Sequence, residues 1–168
     1  IGFFSIFDTD ILQSVDVHTA GFNAQYGTRN SSVMDVRTRD GNRQRLAGKI
    51  YASTYMTKLL LEAPIGKKDK NGFSPASVLI SAKTSYLDKT SQIFYPHVQS
   101  SFGEGLPFSF TDIYGKFSTQ SSNGSKVSAY GFNFNDAVGI SATQSINWDS
   151  WGAGLDFTVV PPSSSTLI

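Results

Sequence analysis

SVDVHTAGFNAQYGTRNSSVMDVRTRDG, Ser14 to Gly41, decides how the rest of the chain is read. Val15 and Val17 alternate with polar neighbours, Gly21 and Gly27 break the pattern, and Val33 and Val36 restart it. Alternation with period two, interrupted by glycine, predicts two short strands joined by a tight turn. The pattern closes in a charged turn, Arg37 to Asn42. Upstream, Ile1 to Asp10 is an aromatic opening, and a short helix or turn is expected around Asp8 to Leu12. There a side-chain oxygen of Asp8 or Thr9 would accept an orphan backbone amide. Downstream of Arg43, glycine turns and alternation take over and no helical period survives, so the fold class expected is mainly β.

Composition narrows the function classes. A net charge of +1 over 168 residues points to neither a nucleic-acid partner nor an acidic substrate. The absence of cysteine removes disulfides, zinc fingers and thiol catalysis together. No apolar run approaches the roughly 20 residues of a membrane helix, and the longest, around Leu59 to Leu61, is interrupted by Lys58 and Glu62. A β-barrel stays open, because barrel strands carry only alternating hydrophobicity over roughly 10 residues. The chain opens on Ile1 without a signal peptide and stops at Ser165 to Ile168 on what reads as another strand. Both ends are expected to be cut.

The opening stretch resembles the end of the plug domain of TonB-dependent outer-membrane transporters, especially the Bacteroidetes-type receptors, where the plug passes directly into the first barrel strand. The residues that carry the resemblance run in order through Ser5, Ile6, Phe7, Asp10, Ser14–Val17, Gly21, Phe22, Ala24, Tyr26, Gly27, Arg29, Ser31–Val33, Asp35, Val36, Thr38 and Gly41. The resemblance implies that residues 1–42 are the C-terminal part of an α+β plug. Residues 43–168 would then be about six or seven antiparallel strands of an incomplete transmembrane β-barrel, since a plugged barrel needs about 22. It further implies energy-coupled import of a scarce nutrient, such as a siderophore, cobalamin, oligosaccharide or peptide. The implied location is the bacterial outer membrane, in contact with its lipid. Partners would be the TonB–ExbB–ExbD complex, reached through a TonB box upstream of Ile1, and a surface lipoprotein.

Asp16, Arg29, Asp35, Arg37 and Arg39 have two readings. They are solvated strand-edge charges, worth about 0 to 1 kcal/mol per exposed pair, or, by the resemblance, plug charges that pair with each other and with the barrel wall as a lock. The family often carries a basic residue near Thr19, so only the acid, Asp16, is carried over.

The remaining segments fit the strand rhythm. Leu46 to Pro64 reads as one long strand or as a tight pair broken near Tyr55 to Lys58, and LEAPIGK, Leu61–Lys67, matches a family hairpin with Ala63 in place of the usual glycine. Ser74 to Leu87 puts Ala76, Val78, Ile80, Ala82 and Tyr86 on one face and Ser77, Ser81, Lys83 and Ser85 on the other, with Leu79 the exception. SAKTSYLD matches a family strand with lysine and threonine in place of arginines. Asp88 to Pro107 reads as a long irregular segment, which the resemblance makes an extracellular loop. Its Phe94, Tyr95 and His97 are candidate ligand contacts, set against a loop that folds on its own side chains. Phe108, Phe110 and Tyr114 are expected at an aromatic rim of the barrel. Asn123-Gly124 marks a hairpin, Asn135 to Ser145 a medium loop, and Asn147 to Val160 alternates most clearly, with Asp156 facing water. Short connections after Pro64, Gln120 and Val160 against long ones after Leu87 and Phe134 give the periplasmic and extracellular asymmetry of an outer-membrane barrel.

No catalytic constellation is present in the sequence, and an enzyme is not expected. His18 and His97 read as polar strand or loop residues, and no GxSxG, HExxH or phosphate loop occurs. Asp69, Asn71 and Gly72 imitate the start of a calcium loop, but the required glutamate is missing, so neither metal nor cofactor is expected. The rival from another class is a soluble β-sandwich that binds carbohydrate or protein, its apolar faces buried between sheets. A receptor-like barrel with a structural or secretion-associated role is another.

Overall fold

A computed structural model describes residues 8–19, 32–94, 105–141 and 144–161. These fall into two compact units, one ending at Arg39 and the other beginning at Asp40. Antiparallel strand dominates both.

In the first unit, Asp8 caps a 3-10 turn, Thr9–Ile11, by accepting the Asp10 amide at 2.8 Å, and Ile11 is buried. The chain then enters strand β1 (Leu12–His18), which pairs antiparallel with β2 (Val33–Thr38), Val15 opposite Val36 and Val17 opposite Met34. The expected pair of strands is therefore present. Its glycine turn lies outside the described residues.

The second unit is a six-stranded meander: β3 (Ala47–Ala52), β4 (Met56–Ile65), β5 (Ala76–Ser85), β6 (Phe108–Gln120), β7 (Lys126–Ser141) and β8 (Gln144–Thr158). Among the described residues β3 and β8 are its two edges. The Leu46–Pro64 segment is two strands, and its turn at Ser53–Tyr55 is held by the Met56 amide on Ser53 Oγ at 3.2 Å and by the Tyr86 hydroxyl on the Ser53 carbonyl at 2.5 Å. At the opposite end, Asp69 Oδ1 accepts the amides of Asn71 and Phe73, both at 2.9 Å, and Gly72 supplies the left-handed residue this turn requires (φ 81°). Gly124 does the same for the β6–β7 hairpin (φ 90°).

Three expectations are corrected. Asp88–Pro107 is not irregular throughout, because Leu87–Phe94 forms helix α1, whose first turn closes through the amides of Lys89 and Thr90 on the Tyr86 carbonyl. Asn135–Ser145 is not a loop. The β7 ladder continues to Ser141, with Asn135 between Thr111 and Asp149 and Asp136 between Phe110 and Trp148. Backbone pairing on both sides carries these polar residues, so only residues 142–143 connect β7 to β8 and the expected long connection there is absent. Thirdly, Phe108, Phe110 and Tyr114 do not form an outward aromatic rim: they share the face of β6 on which Asp112 and Lys116 are buried, and Tyr114 is buried with them.

Candidate functional site

Register determines the two faces of the six-stranded sheet, because directly paired residues point the same way. One face carries rows such as Ile50, Leu59, Ala82, Ile113, Asn133 and Trp151, followed by Gly48, Leu61, Ile80, Gly115, Gly131 and Ala153. The next row is Ala63, Val78, Phe117, Ala129 and Leu155, and the last is Ile65, Ala76, Thr119, Val127 and Phe157. None of these four rows contains a charged side chain, yet Ile80 is 46% exposed, Leu155 65% and Trp151 79%. This is the open face. The row that borders it towards α1, Ala52, Thr57, Thr84, Thr111, Asn135 and Asp149, is polar except for Ala52.

The opposite face is covered and polar. Ser77, Ser81, Asp112, Lys116, Ser118, Ser128 and Asp136 are buried on it beside Leu60, Leu79, Tyr114 and Phe134. Charges removed from water need partners, and at one pair the register supplies them. Lys83 and Asp112 lie directly opposite on β5 and β6, and Lys83 Nζ meets Asp112 Oδ2 at 2.7 Å while sitting 5.0 Å from the Phe110 ring centre. Ser77 and Ser118, also opposite, join hydroxyls at 3.0 Å. On β7 and β8 the aromatics replace polar pairing: Phe132 stacks on Phe134 at 4.8 Å, and the Phe132 and Tyr130 rings occupy the space a side chain would take at Gly152 and Gly154.

At the turn end of the covered face, the segment that leads into β3 is pinned across three strands. Asp40 bridges Lys116 of β6 at 3.1 Å and Lys126 of β7 at 2.5 Å. Gly41 lies so close to β5 that a Cβ there would collide with the Val78 carbonyl. Arg43 donates from Nε to the Ser74 carbonyl at 2.7 Å and from Nη1 to Gln120 Oε1 at 2.5 Å, and its own carbonyl accepts the Ser74 amide at 2.9 Å. Burial pushes the Asp40 carboxyl up, but hydrogen bonds from Lys126 and Lys116 and their charges outweigh it and hold the group below its ordinary value.

The expected site residues are distributed differently. Asp16 and Asp35 are directly opposite on β1 and β2, a juxtaposition of like charges that Arg37 offsets by placing Nη2 3.2 Å and Nε 3.3 Å from Asp35 Oδ2. That pair is largely solvent-exposed. Arg39 donates from Nε to the Asp10 carbonyl at 2.6 Å, tying the end of β2 to the 3-10 turn. Phe94 is the exposed last residue of α1, next to the exposed Ile93. Arg29, Tyr95 and His97 lie outside the described residues. The residues that sequence reasoning missed are Asp40, Lys116, Lys126 and Asp112. Strand alternation in DIYGKF would have placed Asp112, Tyr114 and Lys116 on one face, but the carboxylate that joins Lys116 is 76 positions away in sequence and leaves no local signal.

Among the described residues, no three His, Asp or Glu side chains gather as a metal site, and no helix is long and apolar enough to cross a membrane. The latter says nothing of strands. No family model, curated protein or solved structure matches the chain.

Proposed function

We propose that the chain is a segment of a TonB-dependent outer-membrane transporter, in which residues up to 42 end the plug and β3–β8 are consecutive strands of the barrel wall. In this role it takes part in uptake of a scarce nutrient, such as a siderophore, cobalamin, oligosaccharide or peptide, and performs no chemistry on it. One observation carries the reading: the four rows of the open face hold no charged side chain and, Asn133 and Thr119 apart, are apolar with most of their large side chains exposed, while the covered face holds buried charges and hydroxyls. Water as the only solvent would favour the reverse, since each square ångström of apolar surface left wet costs about 25 cal/mol. Hydrocarbon outside and a polar lumen inside favour the arrangement seen. The motif residues from Ser5 to Gly41 support the plug assignment and the TonB coupling that goes with it.

The test is fractionation of source cells, followed by the intact mass of the natural protein that carries this segment. A detergent-requiring outer-membrane species several times larger than 18.2 kDa is expected. A detergent-free soluble species near that mass would overturn the proposal and leave a β-sandwich binding module.

A further inference from the structure

The two ends of the open face differ in charge. Where β4 leaves it at Ile65, the β4–β5 turn displays Lys67, Lys68 and Lys70, all exposed. Arg45, also exposed, stands at the same end, two residues before Ala47, which pairs with Glu62 near the end of β4. Asp69, whose Oδ1 accepts two backbone amides of its own turn, offsets one of these four cations, and Asp40 is held by Lys116 and Lys126, so the rim keeps an excess of positive charge. Leu46, Ile65 and Phe73 are exposed among the cations, so apolar and basic side chains alternate along one rim. At the other end, among the described residues, the exposed cation Lys89 is accompanied by Asp88 and Asp149.

We infer that this basic rim is a contact surface for anionic phospholipid head groups of the leaflet at the turn end. The inference rests on the membrane reading above and adds a lipid preference to it. The apolar side chains fix the depth at which the strands leave hydrocarbon. The ammonium and guanidinium groups then stand where lipid phosphates lie, and each cation near an anionic surface favours association by about fivefold. The attraction is between exposed charges, so it weakens when salt shortens the Debye length to about 3 Å.

The experiment uses the natural protein carrying this segment, reconstituted in mixed phosphatidylcholine–phosphatidylglycerol bilayers, with spin-labelled lipid of each kind as the probe. Wild type is expected to immobilise phosphatidylglycerol in preference to phosphatidylcholine at low salt and to lose the preference at high salt. The K67Q/K68Q/K70Q variant should cut the preference at least severalfold, whereas K67R/K68R/K70R, which keeps the charge, should retain it. Inorganic phosphate should displace no more labelled lipid than sodium chloride of equal ionic strength, because the binding element is a lipid surface and not a phosphate pocket. Equal immobilisation of the two lipids by wild type, or an unchanged preference in the glutamine variant, overturns the inference while leaving the membrane reading intact. Failure to immobilise lipid of either kind overturns both.

Discussion

Replacing Asp40 by asparagine removes a carboxylate that bridges Lys116 and Lys126. The Lys116 side chain is only 6% exposed, so its ammonium would lose this partner in a place water hardly reaches. Breaking a fully buried pair costs about 3 to 5 kcal/mol. Asp40 itself keeps 32% of its side-chain exposure, which lowers the expectation for D40N to about 2 to 3 kcal/mol. The assay is denaturant unfolding of the reconstituted natural protein, with hydrogen exchange over residues 40–46 as the local readout. The pH dependence has a defined sign. A carboxyl whose folded value lies below its ordinary 3.8 stabilises fully above that value and loses its contribution as pH falls through the folded value. The wild-type advantage should thus be constant from neutral to mildly acid conditions and disappear only below pH 3.8. The double variant D40N/K116M, which removes both charges, should recover most of the loss. Identical unfolding of D40N and wild type at neutral pH, or an advantage that grows on acidification, would refute the clamp.

Four further substitutions probe other parts of the architecture. Gly41→Ala sets a methyl group against the Val78 carbonyl, and because backbone cannot swing aside the expected loss is about 1 to 3 kcal/mol, read as a lower unfolding midpoint and faster exchange near residue 41. Ile80→Lys on the open face should cost about 2 to 4 kcal/mol of folding stability in lipid vesicles, with a smaller loss for Lys at the neighbouring exposed border position Thr84. Tyr86→Phe deletes the hydroxyl that donates to the Ser53 carbonyl and meets Thr57 Oγ1, so about 1 kcal/mol and faster amide exchange in the Ser53–Tyr55 turn are expected.

Local patterns made some elements readable in advance. The two strands that the valine alternation and the glycine breaks suggest do pair, Val15 opposite Val36, and Asp8 caps the turn that its side chain suggested. The odd and even residues of Asn147–Val160 separate onto opposite faces, with Asp156 away from the open one. What alternation cannot say is which set faces the covered side, because a period of two defines two faces without naming either. Spacing therefore groups Phe108, Phe110 and Tyr114 on one face, and only burial shows that this is the covered one. Asn135 and Asp136 have the polarity of a loop, but backbone pairing with strands β6 and β8, which their own side chains do not decide, keeps them in the ladder. Helix α1 is a single amphipathic stretch of eight residues, too short to stand out from its irregular flanks. The Asp40 bridge and the Lys83–Asp112 pair depend on tertiary placement, so their lysines could be set on a face but not matched to partners.

The most direct measurement of the membrane reading is site-directed spin labelling at successive positions from Ser77 to Thr84, in the natural protein reconstituted in lipid. The chain contains no cysteine, so each introduced label is unique within it. Val78, Ile80 and Ala82 belong to the open face and should show high oxygen accessibility with little access to a water-soluble relaxant, while Ser77, Leu79, Ser81 and Lys83 should not. Oxygen accessibility of the opposite phase, or water-soluble relaxant reaching Val78, Ile80 and Ala82 freely, would contradict a strand that faces lipid.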